Sequence, residues 1–259
     1  MRLFVLAVAI AALVGAGSAI AGGVLSLDEP ISAAPAPAYN WTGLYLGVNL
    51  GYGWGSDSVR VSGDAAATEP ALAAGVLPRS LAGSPAGIIG GGQGGYNFQI
   101  DRWVLGVEAD VQGADISSSE SVSRAIPGFF TFVTKASQTL DLFGSARGRV
   151  GFAVIDPLLL YVTGGLAYGN VKLSASSTNP GCVGVCTSGS TSALNAGWTV
   201  GGGLEYAFSR RWSVKGEYLY YDLGELSKTV TDAKFPAVFQ TYRADFAGNL
   251  VRFGVNFRF

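Results

Sequence analysis

Residues 40–54 read NWTGLYLGVNLGYGW. Leu44, Leu46, Val48, Leu50, Tyr52 and Trp54 share one parity, while Gly43, Tyr45, Gly47, Asn49, Gly51 and Gly53 share the other. Period-two alternation is the pattern of a strand. Yet each glycine inside a strand costs about 0.5–1 kcal/mol relative to alanine, and a soluble sheet has little reason to accept four. One face of this strand is rewarded for being apolar and the other for being small.

Composition narrows the setting. Of 259 residues, 49% are hydrophobic and only 14% charged, against roughly 25% charged in soluble domains. Beyond the N-terminus no apolar run reaches the roughly 18 residues of a spanning helix. The remaining way to span a bilayer is a closed barrel, because lipid cannot satisfy open backbone groups. The N-terminus, MRLFVLAVAIAALVGAG, has one early cation, Arg2, and then a continuous apolar core. Ala19 and Ala21 precede Gly22 with cleavage-site spacing, so residues 1–21 are expected to be a secretory signal peptide. Its removal leaves 16 basic against 18 acidic residues, a net charge near −2. That balance argues against a nucleic-acid partner.

Residues 22–40 form a Pro/Ala-rich stretch without periodicity, read as a flexible periplasmic lead. Residues 41–259 are read as one barrel domain. Eight alternating stretches lie at roughly 41–54, 87–100, 103–113, 138–152, 158–171, 194–208, 212–223 and 246–259. The connections at 99–102, 153–157 and 209–211 are tight. Those at 55–86, 114–137, 174–192 and 224–245 are long and rich in Ser, Thr, Gly and Ala. Short turns on one rim and long loops on the other are the arrangement of an outer-membrane barrel. The expected fold is all-β, an eight-stranded antiparallel transmembrane barrel with long extracellular loops and short periplasmic turns.

Charge obeys the same parity. Asp141, Arg147 and Arg149 alternate with Leu140, Leu142, Ala146 and Val150; Glu108 and Asp110 alternate with Val107, Ala109 and Val111. Glu205, Lys215, Glu217 and Arg252 likewise fall opposite the apolar set. A cation on the lipid face at mid-depth would cost about 2–4 kcal/mol. An eight-stranded barrel has an interior just wide enough to be filled by side chains. The expectation is therefore a lumen network of Glu108, Asp110, Asp141, Arg147, Arg149, Glu205, Lys215, Glu217 and Arg252. Buried charges persist when paired, and the inward glycines leave the long side chains room.

Other motifs carry less. GGGQGG at 90–95 fits a dinucleotide fingerprint, but a strand, a turn and a strand follow it rather than a helix. Asn-Trp-Thr at 40–42 is a glycosylation sequon at a periplasmic strand start and is given no weight. Cys182 and Cys186, in an expected external loop of an exported protein, are read as a local disulfide. The chain has no histidine, which removes Ser–His catalysis, imidazole acid–base chemistry and the commonest metal ligand. No catalytic residue, cofactor or metal is expected, and enzymatic activity is disfavoured.

With the strands placed, YNWTGLYLGVNLGYGWG, GSARGRVGFA, YVTGGLAYGNV, WTVGGGLEYAFSRRWSVKGEYLYYDLG and the terminal LVRFGVNFRF resemble the small alphaproteobacterial outer-membrane porin-type proteins, the RopB family. The wider fold is similar to the OmpA/OmpX-like barrels. The resemblance implies a Gram-negative outer-membrane location, contact with lipopolysaccharide and outer-membrane lipid, and insertion by the barrel-assembly machinery. It makes Val251, Phe253, Val255, Phe257 and Phe259 similar to the terminal signal that machinery reads. The leading function is a structural or surface role in the envelope with at most a narrow pore. The alternative is a surface protein whose loops bind haemin, through tyrosines such as Tyr242, or a host ligand.

Overall fold

The computed structural model describes residues 39–63, 66, 68–126, 130–178, 186–232 and 238–259. The expected signal peptide, and the expected lead up to residue 38, lie outside them. Among the described residues ten strands and one short helix follow in order: β1 (Gly43–Trp54), β2 (Asp57–Gly63), α1 (Thr68–Ala73), β3 (Ser80–Gly83), β4 (Ala86–Ile100), β5 (Trp103–Ile126), β6 (Phe130–Ile155), β7 (Leu158–Thr178), β8 (Thr187–Ala207), β9 (Trp212–Thr231) and β10 (Phe239–Arg258). Eight of them close a ring in the order β1-β4-β5-β6-β7-β8-β9-β10, with β10 pairing back onto β1. All the pairings are antiparallel. Closure leaves the membrane-spanning part without a sheet edge.

The lipid-facing band is bounded by aromatic girdles. At the periplasmic rim Trp103 packs against Phe152 at 5.3 Å and Trp212 against Phe257 at 5.0 Å. At the other rim Trp198 meets Tyr220 at 5.4 Å, and Tyr52 and Trp54 are exposed on β1. On β9 the stretch from Trp212 to Tyr220 suits the roughly 9–11 tilted residues needed to cross a bilayer.

The strands do not stop there. Segments 114–137, 174–192 and 224–245, expected as loops, continue largely as strand into an extracellular extension. In the extension most apolar residues face inward and most serines face out, with Ser177 a buried exception beside Thr134. Ser119, Ser137, Ser174 and Ser190 are successive cross-strand partners on the outside. Ala136, Leu140, Val171, Leu173, Val230, Tyr242 and Phe246 are buried within. Above the bilayer the barrel behaves as a soluble sheet does, because water has replaced lipid on its outer face.

Two bulges accompany this change. Register shifts across Asp141 on β6, so Leu140 turns inward and Asp141 outward. On β9 a shift around Leu223 and Gly224, with Gly224 at φ 75°, inverts the parity again. One extra residue in a strand suffices, since side-chain direction alternates with period two. The β8–β9 ladder ends at Trp198–Asp222. Above it β2 pairs with the upper part of β10, and β3 with β2.

Candidate functional site

Charged side chains from five strands converge in the middle of the lumen. Glu108 and Asp110 come from β5, Arg147 and Arg149 from β6, Glu205 from β8, Lys215 and Glu217 from β9, and Arg252 from β10. Each lies on the inward parity, and all are buried. The Arg147 guanidinium reaches three carboxylates: Glu108 at 2.5 Å, Asp110 at 3.0 Å and Glu217 at 3.0 Å. Arg252 binds Glu217 at 2.6 Å and Asp110 at 3.0 Å. Lys215 donates to both oxygens of Glu108 at 2.9 Å. Arg149 holds Glu205 at 2.9 Å and lies over the rings of Tyr161 and Tyr45.

Neutral groups complete the shell. Tyr45 donates to Glu108 at 2.7 Å, Tyr161 to Glu217 at 3.2 Å and Ser145 to Asp110 at 2.8 Å. Ser213 and Asn256 donate to Glu205 at 2.6 and 2.9 Å. The four acids and four bases of this cluster balance, which is the condition for keeping charge in a low-dielectric interior.

Asp141, expected in this network, is outside it. Displaced by the β6 bulge, it is partly exposed and pairs with Lys172 on the outer face.

The glycines account for the room. Gly51 is the cross-strand partner of Arg252, Gly95 of Glu108, Gly106 of Arg149, Gly165 of Arg147 and Gly203 of Glu217. A Cβ on Gly51 would stand 2.4 Å from the Val251 carbonyl oxygen and 2.7 Å from the Arg252 Cβ. One on Gly203 would stand 2.5 Å from the Gly216 carbonyl oxygen. Small residues on one strand make space for long ones from the next.

The network is closed at both ends. On the periplasmic side Trp41, fully buried just before β1, packs with Val104, Ala153, Leu159, Tyr161 and Ala207. Tyr39 meets Trp41 edge-to-face at 4.8 Å, and the Arg258 guanidinium sits 4.7 Å from the Tyr39 ring and 5.0 Å from Trp41. Burial raises the Tyr39 phenol above its usual pKa, so it stays neutral here. This aromatic cork was not anticipated; the sole signal was two aromatics beside a polar strand start. On the extracellular side Phe143, Leu219, Tyr221, Leu223 and Leu250 open the apolar core of the extension.

Chemically, the lumen offers little. The oxygens of each clustered carboxylate already accept from neighbouring donors, and among the described residues no His, Cys, Asp or Glu cluster is placed to hold a metal. Tyr242, the candidate haemin ligand, is fully buried in the extension and donates to Gln240 at 2.7 Å. Burial pushes its phenol well above the usual range. Val251, Phe253, Val255 and Phe257 line the lipid face of β10, and Phe259 follows just after the strand, exposed. The Phe259 amide donates to the Leu44 carbonyl at 3.1 Å. Cys182 lies outside the described residues, and with it the expected disulfide; the Cys186 amide donates to Asp232 at 2.6 Å.

The family model described as "Outer membrane protein beta-barrel domain" matches residues 30–259. The chain belongs to that family. This outer membrane beta-barrel protein is 34% identical to the "31 kDa outer-membrane immunogenic protein" of Brucella melitensis, over 98% of its own length and 99% of the relative's. It is also 34% identical to the "22 kDa outer membrane protein" of Rhizobium leguminosarum, over 49% of each chain. Among solved structures, OprG from Pseudomonas aeruginosa aligns with 84% of this chain and 96% of its own, at 12% identity and a TM-score of 0.49. Its location is the outer membrane, as the relatives' names and the family agree.

Proposed function

We propose that this barrel is a non-conducting, non-enzymatic surface protein of the envelope, whose lumen is a rigid core and whose extracellular extension meets the outside. One observation carries the reading: the bore is filled at three successive levels, by the Trp41 cork, the charge cluster and the apolar core of the extension. Eight-stranded barrels hold side chains, whereas open aqueous channels appear at about 16–18 strands. The extension exposes a serine-lined outer face on β5–β8, which suits a surface antigen such as the immunogenic relatives are named for. A loop site for haemin finds little support, since Tyr242 is inaccessible. The test is current through planar bilayers containing refolded protein in molar salt. The expected result is no stable unitary step; large uniform steps would overturn the reading.

A further inference from the structure

Above the extracellular girdle, the outer face of β2 and β10 carries a charged cleft distinct from the lumen. Its volume is about 340 Å³, and Arg60, Val61, Ser62, Arg79, Glu225 and Arg243 line it. Arg60 and Arg243 are direct cross-strand partners, and like charges directly opposed weaken a sheet. Arg79 stands on the adjoining segment, its carbonyl accepting from the Val61 amide at 2.9 Å. The acids nearby attend to two of the three arginines. Asp245 binds Arg60 at 2.5 Å, Glu225 lies 3.9 Å from it, and Glu69 is 3.5 Å from Arg79. Arg243 has no acidic partner among the described residues, although Glu225 shares its cleft. The Arg60 and Arg79 side chains remain 58% and 61% exposed, so both are open to a ligand from solvent.

Height identifies the occupant. Asn249 is level with Trp54 at the aromatic girdle, and Arg243 is six residues further along β10. At about 3.4 Å per residue and a strand tilt of roughly 35–45°, Arg243 stands about 15 Å above the girdle. The polar headgroup layer accounts for only about 5–8 Å of that on each side. In an outer membrane, what surrounds the barrel beyond this height is the sugar portion of the outer-leaflet glycolipid.

We infer that Arg60, Arg79 and Arg243 form a binding site for the anionic core sugars of lipopolysaccharide, engaging their phosphate or carboxylate groups. Planar guanidinium forks match both anions in bidentate geometry. A sugar-borne anion relieves the Arg60–Arg243 opposition that the protein's own acids leave partly unanswered. Because Asp245 and Glu225 compete for Arg60, the site is moderate in affinity and sensitive to salt.

The test uses the refolded full barrel, with its folded state checked by heat-modifiable gel mobility. Binding is measured to rough lipopolysaccharide carrying its core, to lipid A without core, and to a soluble sulfated polysaccharide. The expected result is tighter, salt-sensitive binding to the core-bearing lipid. The triple variant Arg60→Gln, Arg79→Gln, Arg243→Gln should lose about tenfold, as three exposed charge-assisted contacts together imply. The control Lys135→Gln, Lys172→Gln, on the β6–β7 face, should change binding less than twofold. Arg243→Lys should retain part of what Arg243→Gln loses. An unchanged triple variant overturns the site, as does an equal loss for lipid A without core or an equal loss in the lysine control. Loss confined to the soluble polysaccharide assigns the arginines to an external polyanion and overturns the glycolipid.

Discussion

Replacing Arg147 with leucine removes a side chain that hydrogen-bonds Glu108, Asp110 and Glu217 together. Deleting one partner of a buried ion pair costs about 3–5 kcal/mol, because the remaining charge stays buried without compensation. Here each abandoned acid keeps another cation. Lys215 still holds Glu108, and Arg252 still holds both Asp110 and Glu217. The loss should therefore fall at the lower end, near 3 kcal/mol. Arg149→Leu is the harsher change, since Arg149 is the only cation in direct contact with Glu205 among the described residues. It should approach 5 kcal/mol. Asp141→Asn is the internal control: its pair with Lys172 is partly exposed on the outer face, so the change should stay within about 0.5 kcal/mol. The assay is urea unfolding in detergent micelles. With slopes of about 1–3 kcal/mol per molar urea, the arginine variants should shift the midpoint by on the order of 1–5 M. An unmoved midpoint for Arg147→Leu, or an Asp141→Asn effect as large as either arginine's, would refute the lumen assignment.

Gly51→Val should destabilise the barrel by about 1–3 kcal/mol through overpacking, because its side chain would meet the β10 backbone beside Arg252; the same micelle unfolding reads it, and a neutral outcome would show spare lumen volume. Deleting Phe259, which is exposed at the end of the lipid-facing row on β10, should lower outer-membrane abundance and leave protein in the periplasm. Fractionation with immunodetection would show this, and unchanged abundance would separate the terminal residue from assembly. Alkylation of freshly isolated outer membranes followed by intact-mass measurement should count no free thiol at Cys182 and Cys186. Two labelled thiols would remove the expected disulfide.

The part of this protein legible in its sequence is the part where lipid sets the rule. Between the girdles an outward position must be apolar, so alternation alone identified the strands, their inward face and the closed ring that spares the backbone from lipid. The inward glycines of β1 pointed in the same direction, toward a lumen filled by its neighbours' side chains. Outside the bilayer that rule lapses. The serine-rich segments 114–137 and 174–192 look like loops because Ser and Gly also mark turns, yet water permits a serine outer face while Ala136, Leu173 and Ala175 pack inside. Asp141 shows the same limit at one residue: the β6 bulge reverses parity, and which residue of a strand goes unpaired depends on its neighbours. Which acid meets which arginine was likewise beyond the alternation pattern. Glu108 and Arg147 are cross-strand neighbours, but Arg147 reaches Glu217 and Arg252 reaches Asp110 across the bore. Such partnerships arise from closing the ring at one stagger. So does the Trp41 cork, whose surroundings come from β5, β6, β7 and β8. Period-two chemistry is local and can be read along the chain; contacts across a closed lumen exist only once the first and last strands have met.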